Sequence, residues 1–587
     1  MIPSAFAPSE NKLVIYQLIV RLFSNSNTTN KRFGTIEENG CGKFNEINPK
    51  ALKALKALGV SHVWYTGVLE HSTLTAYPKE GLKADDPHIV KGRAGSPYAI
   101  RDYYDVSADL AVDIGKRIAE FESLLHRTHA QGMKALIDFV PNHVARSYSS
   151  DMRPVSIADF GDGDDTSKLF DPQNNFLYLK DTSFQPPVDY APLEGFPLPA
   201  YSPFIETPAK VTGNDIYTNK PGLNDWFETI KLNFGVSPDL PHKCYFDPIP
   251  KTWQMLLDIL LYWSKKGVDG FRCDMAEMVP AEFWEWIIPC VKTHFPEIIF
   301  IGEIYKPELY KRYLEKGCFD FLYDKVRLYD TLGGIIRGVT SADELTGCAG
   351  SVEQFSEKML SFLENHDEER IAYHGFAGDP FIALPAMTIC ATLSRGPVML
   401  YSGQEVGEPG AGNVGFAGER GRTTIFDYAG IPELQKWTNS GKYDGKLLND
   451  NQNKLRDYYK RILNLCRNNS ALQQGNFYDL QYINRHHQSE GFDERYIYSF
   501  LRYTKEERVL VIVNFNRTQH YDVVVKIPPD AWRCMQLDST KSYQFKDLLY
   551  GEYKKKIIGS KLLSVKDRNS GLPIHLAPLS SLVIAIH

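Results

Sequence analysis

The 587-residue chain contains no CxxC pair, and its nine cysteines (Cys41, Cys244, Cys273, Cys290, Cys318, Cys348, Cys390, Cys466 and Cys534) follow no repeating interval. Neither a zinc site nor a disulfide framework is expected, and the odd number points to reduced, buried thiols. No run of about 18 apolar residues occurs, so no membrane-spanning helix is expected. The first ten residues, Met1 to Glu10, lack a basic segment followed by an apolar one. As the sequence stands it reads as cytoplasmic; a periplasmic or secreted location would need a signal removed before residue 1. There is no basic cluster either: 66 Lys and Arg against 72 Asp and Glu give a net charge of −6. Nucleic acid is thereby excluded as the expected partner. Internal repeats, low-complexity tracts and long linkers are also missing, and nothing fixes an oligomeric state.

What is present is ordinary globular material, 43% hydrophobic and 24% charged, enough for a sizeable core. The length allows about four domains, or fewer if one is a large barrel. Eight apolar runs read as strands: 13–23, 60–69, 134–140, 268–274, 298–304, 319–324, 360–363 and 398–401. Amphipathic helical patterns separate most of them; Trp253, Leu256, Leu257, Leu260, Leu261 and Trp263 form one such stripe, stopped by Gly267. Eight strands alternating with helices is the arithmetic of a (β/α)₈ barrel of the TIM type.

One interval breaks the repeat, because 125 residues separate His143 from Val268, where a β-α step takes about 30. A subdomain inserted after strand 3 accounts for it. Its acidic run Asp159 to Asp165 and its prolines (Pro186, Pro187, Pro192, Pro197, Pro199) suggest irregular, solvated structure overhanging the barrel rim. Leu455, Tyr458, Ile462 and Leu465 then mark a helix on the barrel exterior. Beyond about residue 470 the runs 496–501, 509–515, 521–527 and 582–586 alternate with polar turns, as in an all-β sandwich. The expected division is a barrel over 1–143 and 246–470, the insertion over 144–245, and the C-terminal sandwich over 471–587.

In such a barrel the chemistry sits where strands end at the C-terminal rim. Asp138 closes strand 3 with Asn142 and His143 just beyond, Asp274 closes strand 4, Glu303 closes strand 5, and His366 and Asp367 follow strand 7. Asp274 and Glu303 lie 29 residues apart and Glu303 and Asp367 lie 64 apart, one and two β-α steps. Period-two alternation puts Arg272 on the side of Asp274 and turns Cys273 away as a small hydrophobe. A cluster of carboxylates in a cleft suits glycosidic bond cleavage, which needs one acid to protonate the leaving oxygen and one ionised group at the oxocarbenium-like centre. Arg272 is expected to lower the pKa of Asp274, and neighbouring carboxylates to raise that of Glu303. Taken singly, an Asp after a strand is usually a turn former or helix cap. Three at the correct steps are read as a catalytic set.

These segments resemble the conserved regions of the α-amylase family, glycoside hydrolase family 13, in the family's order: DFVPNH, GFRCDMAEM, the Glu of IGEIY, and FLENHD. GPVMLYSGQE at strand 8 and GSPY, residues 95–98, add to the likeness. The resemblance implies Asp274 as nucleophile, Glu303 as acid then base, and Asp367 as the carboxylate stabilising the transition state. It further implies that His143 and His366 bind sugar hydroxyls, Arg272 orients the nucleophile, Tyr98 stacks on the sugar, and Asp138 supports the site structurally. The implied substrate is an α-glucan oligosaccharide or polysaccharide, cleaved at α-1,4 bonds with retention; no cofactor is needed for the chemistry. Many family members carry Lys-His three and four residues after the nucleophile, contacting the leaving-group sugars and, through a carbonyl, a calcium ion. Here those positions are Glu277 and Met278. Asn142 matches a calcium ligand of some members, which leaves a structural calcium ion open without requiring it. An α-glucan transglycosylase or exo-acting α-glucosidase would use the same residues, and a non-catalytic sugar-binding barrel is the alternative from another class.

Overall fold

The computed structural model describes residues 12–187, 204–239, 241–414, 421–485, 489–562 and 570–587. Pro192, Pro197 and Pro199 lie outside these residues. Eight parallel strands form one sheet: β1 (Val14–Ile19), β2 (His62–Thr66), β3 (Lys134–Phe139), β4 (Gly270–Cys273), β5 (Ile299–Gly302), β6 (Phe321–Tyr323), β7 (Met359–Leu360) and β8 (Val398–Tyr401). Their spatial order is β7-β6-β5-β4-β3-β2-β1-β8. A single parallel bridge between Ser361 and Val398 closes the sheet on itself, with Ser361 N–H donating to Pro397 O at 3.0 Å and Met399 N–H to Ser361 O at 2.9 Å.

The barrel has two apolar layers, as its alternating strands demand. Ile15, Trp64, Leu136, Ile301, Tyr323, Leu360, Phe362 and Met399 fill the interior. The other face of each strand packs on the surrounding helices, among them Arg117–Ala130, Lys251–Lys265 and Ala281–His294. The stripe expected from Trp253 to Trp263 is real: Trp253, Leu256, Leu260 and Trp263 are buried on one face of Lys251–Lys265. Asp450–Asn468 opens on an Asn449 and Gln452 capping box and lies against the helices Pro49–Leu58 and Leu384–Thr392. Leu455, Tyr458 and Ile462 are buried there and Leu465 is half-buried.

Several expected strands are shorter than their apolar runs. After Ile19 the run 13–23 turns into a helical segment, Val20–Phe23, which is equally buried; burial on all sides erases the periodicity that separates the two states. Gly67, at φ 75, ends β2, and a separate strand Leu69–His71 pairs with Ile100–Val106. The inserted segment is irregular, with two short antiparallel pairs: His143–Ala145 with Thr229–Lys231, and Tyr178–Leu179 with Ala209–Lys210. Its acidic run is not simply solvated. Asp164 accepts hydrogen bonds from the Asn175 and Phe176 amides and the Tyr178 hydroxyl, and Asp159 accepts one from Ser150 N–H.

The C-terminal part is an antiparallel sheet of six strands, β9 (Asn476–Asp479), β10 (Ile497–Tyr503), β11 (Arg508–Asn514), β13 (Ser542–Asp547), β14 (Lys554–Ile558) and β16 (Ser581–Ile586). A two-stranded sheet of β12 (Tyr521–Val525) and β15 (Leu572–Leu576) faces it across a common apolar core. Lys-rich β14 and the polar-alternating β13 and β15 escape a search for apolar runs. All nine cysteines are free, but of the nine Cys41, Cys273, Cys390 and Cys466 are buried, Cys290, Cys318 and Cys348 are half-buried, and Cys244 and Cys534 are exposed, so the expectation of buried thiols fails for these last five. Among the described residues no helix is long and apolar enough to cross a membrane.

Candidate active site

The C-terminal ends of β3, β4 and β5 meet at one guanidinium. Register pairs Arg272 with Asp138 on β3 and with Ile301 on β5, so its side chain enters the barrel between the acids that close those strands. Arg272 is 1% exposed. Its Nη1 donates to Asp274 Oδ1 at 2.6 Å, its Nη2 lies 2.7 Å from Glu303 Oε1, and Asp138 Oδ1 is 3.8 Å from Nη1. Its Nε donates to the Tyr323 hydroxyl at 3.2 Å. The rings of Trp64, Tyr98 and Tyr323 surround it, with centroids 5.4 to 5.6 Å away. A buried cation requires such partners.

Glu303 is held by more than Arg272. Its Oε2 accepts the Met275 amide at 2.7 Å and its Oε1 accepts the Tyr305 hydroxyl at 2.6 Å. Met275 follows Asp274 at φ 43, a left-handed conformation that costs a non-glycine residue about 1–2 kcal/mol. That strain turns its N–H towards Glu303, and strained backbone of this kind concentrates at functional sites. Glu277 does a similar job from the next turn, accepting the Tyr305 and Lys306 amides at 2.9 and 3.1 Å.

The electrostatics differ from expectation in one respect. Burial pushes the carboxyls of both Asp274 and Glu303 above their usual range, and Arg272 pulls both back. Asp274 was expected below its ordinary value because of Arg272; its burial, 6% exposed, outweighs that charge. Asp138 is pushed up to about 7, chiefly by burial. Asp367 is the most open acid, with 40% of its side chain exposed and Oδ2 3.2 Å from His366 Nε2.

A hydrogen-bonded chain crosses the floor. Gln17 Nε2 lies 2.7 Å from His366 Nδ1, His366 Nε2 lies 2.5 Å from the Tyr98 hydroxyl, and that hydroxyl donates to Asp138 at 3.4 Å. With Gln17 as donor, the His366 proton sits on Nε2. Burial pushes His366 down to about 3 and His143 down to about 4, so both rings are neutral. The Tyr98 and His366 rings stack, 5.2 Å apart and inclined by 24°. Gly95, three residues before Tyr98, holds φ +79, and a Cβ there would sit 1.6 Å from Ser72 O; only glycine permits that turn.

Arg272, Asp274, Glu303, Asp367, His366, Tyr98 and Asp138 therefore form one contact network. His143 and Asn142 lie at its edge towards the inserted segment, with the His143 ring 5.2 Å from that of Trp226. Sequence reasoning missed Tyr305, Gln17, Trp64, Tyr323 and Trp226. Gln17 was findable, since it lies two residues from inward-facing Ile15 on β1, and Tyr305 lies two from Glu303. Trp226 sits in irregular chain and carried no signal.

Calcium does not fit at Asn142. The Oδ1 of Asn142 accepts the Lys231 ammonium at 2.5 Å, where a calcium ion would need to coordinate, and Nδ2 donates to Gly213 O at 2.8 Å. Elsewhere, among the described residues, Glu70, Asp105 and Asp151 bring carboxylate oxygens within 4.8 Å of one another. Arg117, 2.7 Å from Asp105 through Nε, already supplies a positive charge there.

A closed parallel barrel with acids gathered at its C-terminal rim defines a (β/α)₈ barrel protein. The chain belongs to the α-amylase family: the alpha amylase catalytic domain matches residues 17–164 and 248–475, and the alpha amylase C-terminal all-beta domain matches residues 490–587. It is 25% identical over 407 residues to the alpha-amylase MalA of Haloarcula japonica, covering 68% of this chain and 44% of that protein. It is 23% identical over 340 residues to an alpha-1,4-glucan:maltose-1-phosphate maltosyltransferase of Cereibacter sphaeroides, covering 56% and 45%. The chain thus spans less than half the length of these two relatives. The crystal structure of a maltogenic alpha-amylase from Thermotoga neapolitana superposes with a TM-score of 0.60 at 18% identity, covering 98% of each chain.

Proposed function

We propose that the protein hydrolyses α-1,4-glucosidic bonds of starch, maltodextrins or related oligosaccharides by double displacement. One observation carries the reading: Arg272 bridges Asp274 and Glu303 at 2.6 and 2.7 Å, and the two carboxyls are within hydrogen-bond reach of each other, too close to hold a water between them. That favours retention over inversion, which needs the pair about 6.5–9.5 Å apart. Asp274 attacks the anomeric carbon while Glu303 protonates the leaving oxygen; Glu303 then takes a proton from water as it opens the glycosyl-enzyme. Asp367, at the open mouth, faces the developing positive charge. Neutral His366 and His143 bind sugar hydroxyls, and Tyr98, backed by His366, offers its ring to the sugar face.

Transfer to a sugar acceptor is the second reading, favoured by the likeness to a maltosyltransferase. Incubation with maltooligosaccharides tests both. Turnover with α-anomeric products is expected, and Asp274→Asn and Glu303→Gln should each lower kcat by about 10⁴-fold or more. Products longer than the substrate would identify transfer. No turnover of any α-glucan by the unmutated protein would refute the enzyme reading.

A further inference from the structure

We infer that the ammonium group of Lys231 takes the place of a divalent cation at the joint between the barrel and the inserted segment, so that this joint is held without calcium. Lys231 is 8% exposed and closes the short strand Thr229–Lys231, paired directly with His143. Its Nζ donates to Asn142 Oδ1 at 2.5 Å, to Asp215 Oδ2 at 3.1 Å and towards Met278 O at 3.5 Å. These three oxygens come from three separate pieces of chain: the loop after β3, the inserted segment, and the turn after Asp274. Asn142 and the carbonyl region after the nucleophile are also the positions at which the family resemblance leaves calcium open.

The oxygen set suits an ammonium and not a calcium ion. Lys⁺ has three donors and finds three acceptors, whereas Ca²⁺ takes 6–8 oxygens at about 2.3–2.6 Å. Charge agrees: the single carboxylate, Asp215, whose side chain is 42% exposed, balances the one positive charge of the buried Lys231 and would leave a divalent ion only half compensated. The Asn142 amide is turned to match, its oxygen on Lys231 and its nitrogen on Gly213 O. Lys231 is a positioning residue. It ties the loop carrying His143 to the turn that follows Asp274.

The full chain tests this by thermal unfolding, independently of any activity. The unmutated protein, dialysed against EDTA, should keep its Tm when millimolar Ca²⁺ is added. Lys231→Met, which keeps the stem and removes the charge, should lower Tm by several degrees with or without Ca²⁺. Lys231→Ala should lower Tm at least as far, with no recovery in millimolar Ca²⁺, because three oxygens with one carboxylate do not make a calcium site. An unmutated protein that loses Tm in EDTA and regains it with Ca²⁺ would overturn the inference, and that measurement needs no variant to fold. So would Lys231→Met and Lys231→Ala chains whose Tm equals that of the unmutated protein.

Discussion

At Glu303 two donors compete with burial. The Tyr305 hydroxyl and the Met275 amide stabilise the charged carboxylate, while burial favours the proton. Tyr305→Phe removes one donor, so the Glu303 pKa rises further. If Glu303 is the acid, activity persists to higher pH: the alkaline limb of the kcat/KM profile should move up by about half to one unit, with kcat at neutral pH reduced roughly threefold to tenfold. An unmoved limb would show that the tyrosine only packs. Asp138 gives a stability prediction. Its folded pKa, about 7, is above its unfolded value, so its contribution is intact below the unfolded pKa and is lost as pH rises through 7. Asp138→Asn should therefore gain Tm relative to the unmutated protein as pH is raised from 4 to 7. A pH-independent difference between the two would contradict the assignment of that titration to Asp138.

At the scale of elements, the turn from Gly95 to Tyr98 shows how a loop positions a ring. Gly95→Ala forces a Cβ onto Ser72 O and a strained φ, costing about 1–3 kcal/mol of stability and displacing Tyr98 from His366. The expected result is a lower Tm together with a kcat/KM loss carried mainly by KM; a normal KM would show that Tyr98 keeps its place. The eight barrel strands were legible because apolar runs recurred at β-α intervals, and Asp274, Glu303 and Asp367 because acids closed three of them. Where the runs were buried on every side, as at Val20–Phe23, the pattern could not separate strand from helix. Strands β13 to β15 were hidden for the opposite reason, since alternating or lysine-rich strands present too few apolar residues to form a run. The partners of Arg272 were legible only in part: alternation placed Asp274 beside it, but its equal reach to Glu303 depends on how tightly the strands curl.

For the whole molecule, the barrel has one weak seam. Seven of its neighbouring strand pairs are joined by ladders of two or more residues, while β7 meets β8 through the single bridge Ser361–Val398. Local opening follows the sparsest hydrogen bonding, so the Ser361 and Met399 amides should exchange with deuterium on the order of tenfold faster than those of β1; equal protection would mean that helix packing, not the ladder, holds the seam. The C-terminal sheet is stitched to the barrel by Arg502, fully buried, which donates to Thr392 O and Leu393 O at the end of the helix Leu384–Thr392 and to Gly475 O. Chains cut after about residue 470 should therefore lose the barrel's cooperative unfolding transition as well as the sheet; a truncated chain with an unchanged Tm would contradict this. The place of β1 has a consequence in time. It lies between β2 and β8, buried along its whole length, and pairs Val14 with Val398. On the ribosome, at roughly 5–20 residues per second, the first strand made waits some 20 to 80 s for its second neighbour to be synthesised. Throughout that wait, one edge of an apolar strand is open to whatever the cell presents to it.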